Sequence, residues 1–61
     1  MIIEISLECN EDSDDEVKLK NLDCTDTSGE ALIQIEFYSE NVLMNYAQIN
    51  RKELIEAISK L

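Results

Sequence analysis

The 61 residues of this chain amount to 7.0 kDa, which is enough for one small domain and too little for two separate hydrophobic cores. Fourteen acidic and five basic side chains, with no histidine, give a net charge of −9 at neutral pH. A charge of this sign repels phosphate backbones and anionic lipids. Direct binding to nucleic acid or to a membrane surface is therefore disfavoured, and a protein with a basic surface is the expected partner.

The first part of the chain predicts two strands joined by an acidic loop. Apolar and polar residues alternate over positions 3–9, a pattern that is typical of a half-buried strand. Residues 10–16 contain five acids and no apolar side chain, which predicts a solvated loop. Alternation resumes at 17–20 and changes phase at Asn21, which predicts a β-bulge there.

This pattern also predicts a register for the first hairpin. Pairing inward residues with one another places Cys9 opposite Val17 and, on the other face, Glu8 opposite Lys18. Beyond the predicted bulge, Ile5 then meets Leu22 and Ile3 meets Cys24.

Two further strands are predicted in the middle of the chain. Residues 25–30 form a polar turn around Gly29, and alternation over 31–37 has the best β composition of the chain. Residues 39–41 then predict a short turn. The alternation of residues 42–47 predicts a fourth strand, with a helix over 40–48 as the alternative, because the same apolar residues also fit a helical stripe.

The last residues predict an amphipathic helix. Asn50 can cap its N-terminus, with Glu53 three residues later as in a capping box, and Ile49 and Leu54 are placed for a hydrophobic staple. The fold class is thus α+β, in a single acidic domain over residues 1–61. It consists of a small antiparallel β-meander of three to four strands, with one C-terminal helix packed on one face.

One face of the predicted sheet is left without a helix to cover it. The apolar residues expected there are Ile2, Leu32, Tyr38, Leu43 and Ala47. They are either scattered surface residues or a patch for a partner or a second copy. A ring of carboxylates from Glu4, Glu8, Glu36 and Glu40 would suit a partner with a basic rim.

The two cysteines predict neither a disulfide nor a metal site. The predicted register separates Cys9 from Cys24 by roughly 20 Å, whereas a disulfide needs Cα atoms within about 7 Å. Two distant cysteines without histidine cannot complete a zinc site or form an activated nucleophile. We therefore expect free, buried thiols, no cofactor and no enzymatic activity.

The densest acidic stretch, residues 8–16, holds six carboxylates in nine residues. Calcium binding is one interpretation, but the stretch has no glycine at the turn and no flanking helices, as an EF-hand would require. A solvated loop that keeps the chain soluble is the second interpretation. Recognition of a basic partner is the third.

The sequence supports two hypotheses of function. The first is a cytoplasmic inhibitor or adaptor that binds a basic protein surface, as a nucleic-acid mimic if that surface normally holds DNA or RNA. Small acidic proteins of this kind are common among virus-encoded antagonists of CRISPR and restriction nucleases, an analogy of size and charge alone; a virus-encoded protein would then act in the host cytoplasm. The second hypothesis is a homodimer module without inhibitory activity.

The partner-binding residues predicted under the first hypothesis are acidic. The cytoplasmic location is expected because the N-terminal residues contain neither a basic region nor a secretory signal. The predicted partner-binding set is Glu8, Glu11, Asp12, Asp14, Asp15, Glu16, Asp23, Asp26, Glu30 and Glu40.

Overall fold

The computed structural model describes residues 2–11 and 14–61. Its elements are β1 (Glu4–Glu8), β2 (Asp15–Thr25), β3 (Ala31–Ser39), β4 (Val42–Asn50) and α1 (Arg51–Ser59). The four strands form one antiparallel sheet in the order β1-β2-β3-β4, and α1 packs against β3 and β4. The predicted α+β meander with a C-terminal helix is confirmed, and the helical alternative for residues 40–48 is wrong.

The register of the first hairpin differs from the prediction by two residues. Glu8 lies opposite Glu16 rather than Lys18, and Val17 lies opposite Leu7 rather than Cys9. A shift of two residues leaves every side chain on its predicted face, so alternation alone cannot detect it. Lys18, on the same strand as Glu16, reduces the repulsion between these two facing carboxylates, because its Nζ lies 3.6 Å from Glu16 Oε1.

The same shift changes the pairing at the start of β1. Ile5 lies opposite Leu19 rather than Leu22, and the Ile3 carbonyl accepts a hydrogen bond from the Asn21 amide at 2.9 Å. The predicted neighbour of Ile3, Cys24, therefore lies further along β2. The β2–β3 register shifts between Asn21 and Thr25, so an irregularity lies next to the position of the predicted bulge.

The β2–β3 connection is a tight turn that depends on Gly29. The Asp26 amide donates to the Glu30 carbonyl at 2.9 Å, and the Gly29 amide donates to the Asp26 carbonyl at 3.1 Å. Gly29 has a φ of +87°, a conformation that is strained for residues with a Cβ. These features match a type I turn followed by a glycine bulge.

The β3–β4 connection is the predicted short turn, although it contains only Glu40 and Asn41, because Ser39 belongs to β3. Glu40 and Asn41 have φ values of +51° and +64°, so both lie in the left-handed region that a type I′ hairpin turn requires. The β3–β4 register shifts between Phe37 and Tyr38, close to this turn. This shift was not predicted. One consequence is that Ala47, opposite Ile35, lies on the same face as the helix, so its predicted place on the uncovered face is wrong.

The sheet has one apolar and one polar face. Three cross-strand rows make up the apolar face, and apart from Asn21 and Asn45 they are entirely apolar. From the helix end outward, these rows are Ile3–Asn21–Ile33–Ile49, Ile5–Leu19–Ile35–Ala47 and Leu7–Val17–Phe37–Asn45. The opposite face carries charged and polar residues of the same strands, with Leu43 and Tyr46 at the β4 edge.

Helix α1 begins at the residue that the sequence predicts. The Asn50 side chain accepts a hydrogen bond from the Glu53 amide at 3.1 Å and so caps the helix. The helix covers the apolar face incompletely. A groove of about 630 Å³ remains between Leu54, Ile55 and Ile58 of the helix and the sheet residues near β1.

Candidate functional site

Two connections of the chain meet at the end of the sheet that lies away from the helix N-terminus. Asp15, the first residue of β2, lies opposite Ser39, the last residue of β3. The Glu40 amide in the β3–β4 turn donates to the Asp14 carbonyl at 2.9 Å. The acidic β1–β2 connection is thereby fixed against the β3–β4 turn.

This arrangement gathers a group of predicted residues that we call the acidic end. Its members come from the β1–β2 hairpin and the β3–β4 turn and are Glu8, Glu11, Asp14, Asp15, Glu16 and Glu40. Asp15 and Glu16 are half-buried residues of β2, not part of a loop as the sequence predicts, and the other four are exposed. Asp12 lies outside the described residues.

The remaining three predicted residues lie at the opposite end, around the β2–β3 turn. Asp23 is in the last part of β2, while Asp26 and Glu30 belong to the turn. The nine-residue strand β3 separates the two ends by roughly 27 Å. The structure thus divides the predicted set between two ends rather than placing it on one continuous surface.

Asp26 serves the fold of the turn through its carboxylate. Oδ1 accepts from the Ser28 hydroxyl at 2.6 Å, from the Ser28 amide at 2.9 Å and from the Glu30 amide at 3.0 Å. Oδ2 accepts from Asn50 Nδ2 at 2.7 Å. Hydrogen bonds from Ser28, Asn50 and Glu30 lower the pKa of Asp26 to about 2. This carboxylate is already engaged by the chain itself, which favours a structural role over partner binding.

The centre of the polar face holds a network that the sequence analysis missed. Glu36 is only 4 % exposed, and its carboxylate accepts from Gln34 Nε2 at 2.7 Å and from the Tyr38 hydroxyl at 3.0 Å. Lys20 Nζ lies 3.1 Å from Glu36 Oε1 and 3.5 Å from Glu4 Oε1. The spacing of Gln34, Glu36 and Tyr38 at every second position was the available signal, since it puts all three on one face.

The network shifts the titration of its members. Burial acts to raise the pKa of Glu36, but the hydrogen bonds from Gln34, Lys20 and Tyr38 outweigh it and the pKa is lowered. Hydrogen bonding to Glu36 raises the pKa of Lys20 and also that of Tyr38. Lys18 Nζ lies 4.6 Å from the centre of the Tyr38 ring, a cation–π distance.

This network overturns the predicted ring of carboxylates around an uncovered apolar patch. Glu36 lies buried in the middle of the polar face and is paired with Lys20. Tyr38 donates its hydroxyl to Glu36 and is half-buried. The large apolar surface of the molecule lies on the other face of the sheet, beside the helix.

The two cysteines are free, as predicted, but neither is buried. Cys9 is half-buried and Cys24 is exposed. Among residues 2–11 and 14–61, no group of three or more His, Cys, Asp or Glu side chains is placed to hold a metal ion.

Comparisons of the chain with models of protein families, with curated proteins and with solved structures found no match. The helical part of the described chain is too short and too polar to cross a membrane.

Proposed function

We propose that this protein is a small binding module that recognises a basic surface of a protein partner through its acidic end. The observation that carries this proposal is the meeting of two separate connections, which places six acidic residues at one end of the sheet on a backbone held by the Glu40–Asp14 hydrogen bond. Lys18 bonds to one of these carboxylates, that of Glu16. With a net charge of −9 for the chain, the acidic end attracts lysine and arginine side chains.

The opposite end is less suited to a basic partner. The carboxylate of Asp26 accepts hydrogen bonds from the chain's own amide and hydroxyl donors. The cationic residues Arg51 and Lys52 also follow directly after Asn50, which is bonded to Asp26. We therefore narrow the predicted binding residues to the acidic end.

A finer proposal concerns the kind of partner. A basic protein surface that receives a group of carboxylates is also suited to receive phosphates. Binding of the acidic end to such a surface would exclude DNA or RNA from it, so the protein would act as a nucleic-acid mimic that inhibits a nuclease, such as a CRISPR or restriction effector. The charge and its placement support this proposal.

The test compares two variants with the same change in net charge. Glu8→Gln, Glu11→Gln and Glu40→Gln together neutralise part of the acidic end and leave the Glu16–Lys18 pair intact. The control variant combines Asp23→Asn, Glu30→Gln and Glu56→Gln, which neutralise three carboxylates away from the acidic end. Each tagged protein is used to capture partners from a host lysate at low and moderate salt, with elution by salt and by duplex DNA.

We expect the wild type and the control variant to retain a nucleic-acid-binding enzyme that both salt and DNA release, and the acidic-end variant to lose it. Purified partner then shows whether added protein blocks cleavage of its substrate. Equal loss of capture in both variants would indicate an effect of net charge alone. Equal retention would show that the acidic end is not the binding surface, and either result overturns the proposal.

A further inference from the structure

The apolar face of the sheet remains largely accessible to solvent. Among the described residues, no apolar side chain reaches the degree of burial of a core residue. Five sheet residues on this face are 45–58 % exposed, and we call them the open apolar face: Ile3, Ile5, Leu7, Phe37 and Val42. The helix adds Ile55 and Ile58, which are 49 % and 59 % exposed beside the same groove.

The size of the exposed surface indicates how much of it a partner would cover. The chain has an accessible surface of 4920 Å², whereas a folded monomer of 7.0 kDa is expected to have about 4000 Å². The excess is therefore about 900 Å². A stable protein–protein interface of standard size removes about 800 Å² from each partner. The excess matches one such interface.

A chain of this size would gain stability from having this face covered. Domains below roughly 70–80 residues rarely gain enough stability from one core, and they commonly use disulfides, metals or association. Both cysteines are free, and no metal cluster exists among the described residues. A partner that is present only at times would leave the folded chain with an open core, whereas a second copy is always available.

We infer that the open apolar face is the interface of a homodimer, with a second copy of this chain as its occupant. The three rows of this face carry no charged side chain, and Asp15 lies at its margin in the row of Ser39 and Val42, so the three rows meet identical rows without like-charge contact. The charged rows of each sheet point away from the partner. In a single copy, the outermost row, with Leu7 and Phe37, has no helix residues packed over it. In such a two-fold arrangement, Ile55 and Ile58 of one copy would cover this row of the other copy.

The first test needs no substitution. Sedimentation equilibrium should give twice the 7.0 kDa mass of the chain, and the thermal midpoint should rise with protein concentration, as it does when folding and association are coupled. The chain has a single phenylalanine. In a mixture of labelled and unlabelled protein, isotope-filtered NMR should show contacts between the Phe37 ring of one copy and isoleucine or leucine methyl groups of the other.

A pair of matched variants locates the interface. Leu7 and Leu43 are 49 % and 45 % exposed and lie on opposite faces of the sheet. Because a two-fold interface contains each residue twice, Leu7→Gln should raise the dimer dissociation constant about tenfold or more. Leu43→Gln should leave it unchanged.

Three results would overturn the inference. The first is a monomer whose thermal midpoint is independent of concentration. The second is a dimer that Leu43→Gln weakens and Leu7→Gln does not. The third is a dimer whose intermolecular contacts lie along the edge of β4 as a continuous sheet, with none to Phe37. The acidic-end variant should dimerise at least as tightly as the wild type, because it carries less negative charge, so failure of this inference can be told apart from failure of the proposed function.

Discussion

Replacing Asn50 with alanine tests the link between the β2–β3 turn and helix α1. The Asn50 side chain makes two hydrogen bonds, accepting from the Glu53 amide at 3.1 Å and donating to Asp26 Oδ2 at 2.7 Å. Loss of an N-cap costs about 1 kcal/mol, out of a stability of roughly 3–9 kcal/mol for a domain of this size. The cap alone should therefore lower the thermal midpoint by roughly 4–8 °C, and loss of the bond to Asp26 should lower it further.

Circular dichroism at one fixed protein concentration measures this effect, with Asn45→Ala as the control. Asn45 is also an asparagine of β4, so the substitution is chemically the same. Its side chain accepts a hydrogen bond from the neighbouring Tyr46 amide at 2.9 Å, which is a contact within β4. We expect a much smaller decrease of the thermal midpoint for Asn45→Ala. Equal decreases in the two variants would refute the argument that Asn50 joins the turn to the helix.

The loss of stability at low pH gives a second measurement on the same pair of variants. The pKa of Asp26 is lowered from its ordinary value of 3.8 to about 2. Its stabilising contribution is therefore present above pH 3.8 and is lost as the pH falls toward about 2. Asn50→Ala removes one of the donors, so the pKa of Asp26 should rise toward 3.8. That variant should then lose less of its remaining stability over this interval than Asn45→Ala does.

Two further predictions concern the β3–β4 turn and the polar face. Glu40→Asn combined with Asn41→Gly places the residues that a type I′ turn prefers at its two positive-φ positions. This double variant should be about 1 kcal/mol more stable than the wild type. An unchanged or lower thermal midpoint would contradict the turn assignment. Glu36→Gln replaces the carboxylate that raises the pKa of Tyr38 above its ordinary value of 10.0 with a neutral amide, which accepts a weaker hydrogen bond. Ultraviolet titration should then show Tyr38 ionising at lower pH, and the wild type should lose stability as the pH rises past 10.0, to a greater extent than the variant does.

Local patterns predicted the elements well because each strand and the helix has one apolar side. The cap at Asn50, the turn at Gly29 and the bulge near Asn21 follow from single residues with distinct conformational preferences. The register between strands depends instead on where each strand begins and ends. Pairing Glu8 with Lys18 satisfies alternation as well as the observed register does and satisfies charge better, yet Glu8 pairs with Glu16 in a β2 that begins at Asp15.

The features of the site that the sequence did not predict depend on contacts between strands. Glu36 is buried because Lys20 on the neighbouring strand lies 3.1 Å away, whereas glutamate is almost never buried without a partner. No glycine in β4 marks the shift near Phe37, and the residue opposite Phe37 is the polar Asn45; this shift decides which face Ala47 occupies. Similarly, the gathering of Asp14 and Glu40 is a backbone contact between residues distant in sequence.

The two proposed surfaces should respond to salt in opposite directions, which gives a last prediction. Dimerisation through the open apolar face brings together two chains that each carry a net charge of −9. Screening reduces the repulsion between them, because the Debye length falls from about 10 Å at 0.1 M salt to about 3 Å at 1 M. The dimer dissociation constant should therefore fall as salt is raised.

Binding of a basic partner to the acidic end should weaken over the same range, because salt screens attraction as well as repulsion. Sedimentation equilibrium and partner binding, measured on the wild type across one salt series, provide the comparison. A dimer that dissociates as salt rises would show that opposite charges hold its interface. Since the three rows of the apolar face contain no charged side chain, the charges that hold such a dimer would have to lie outside these rows, at the acidic end, at Arg51 beside the groove, or on the polar face beside Lys18 and Lys20.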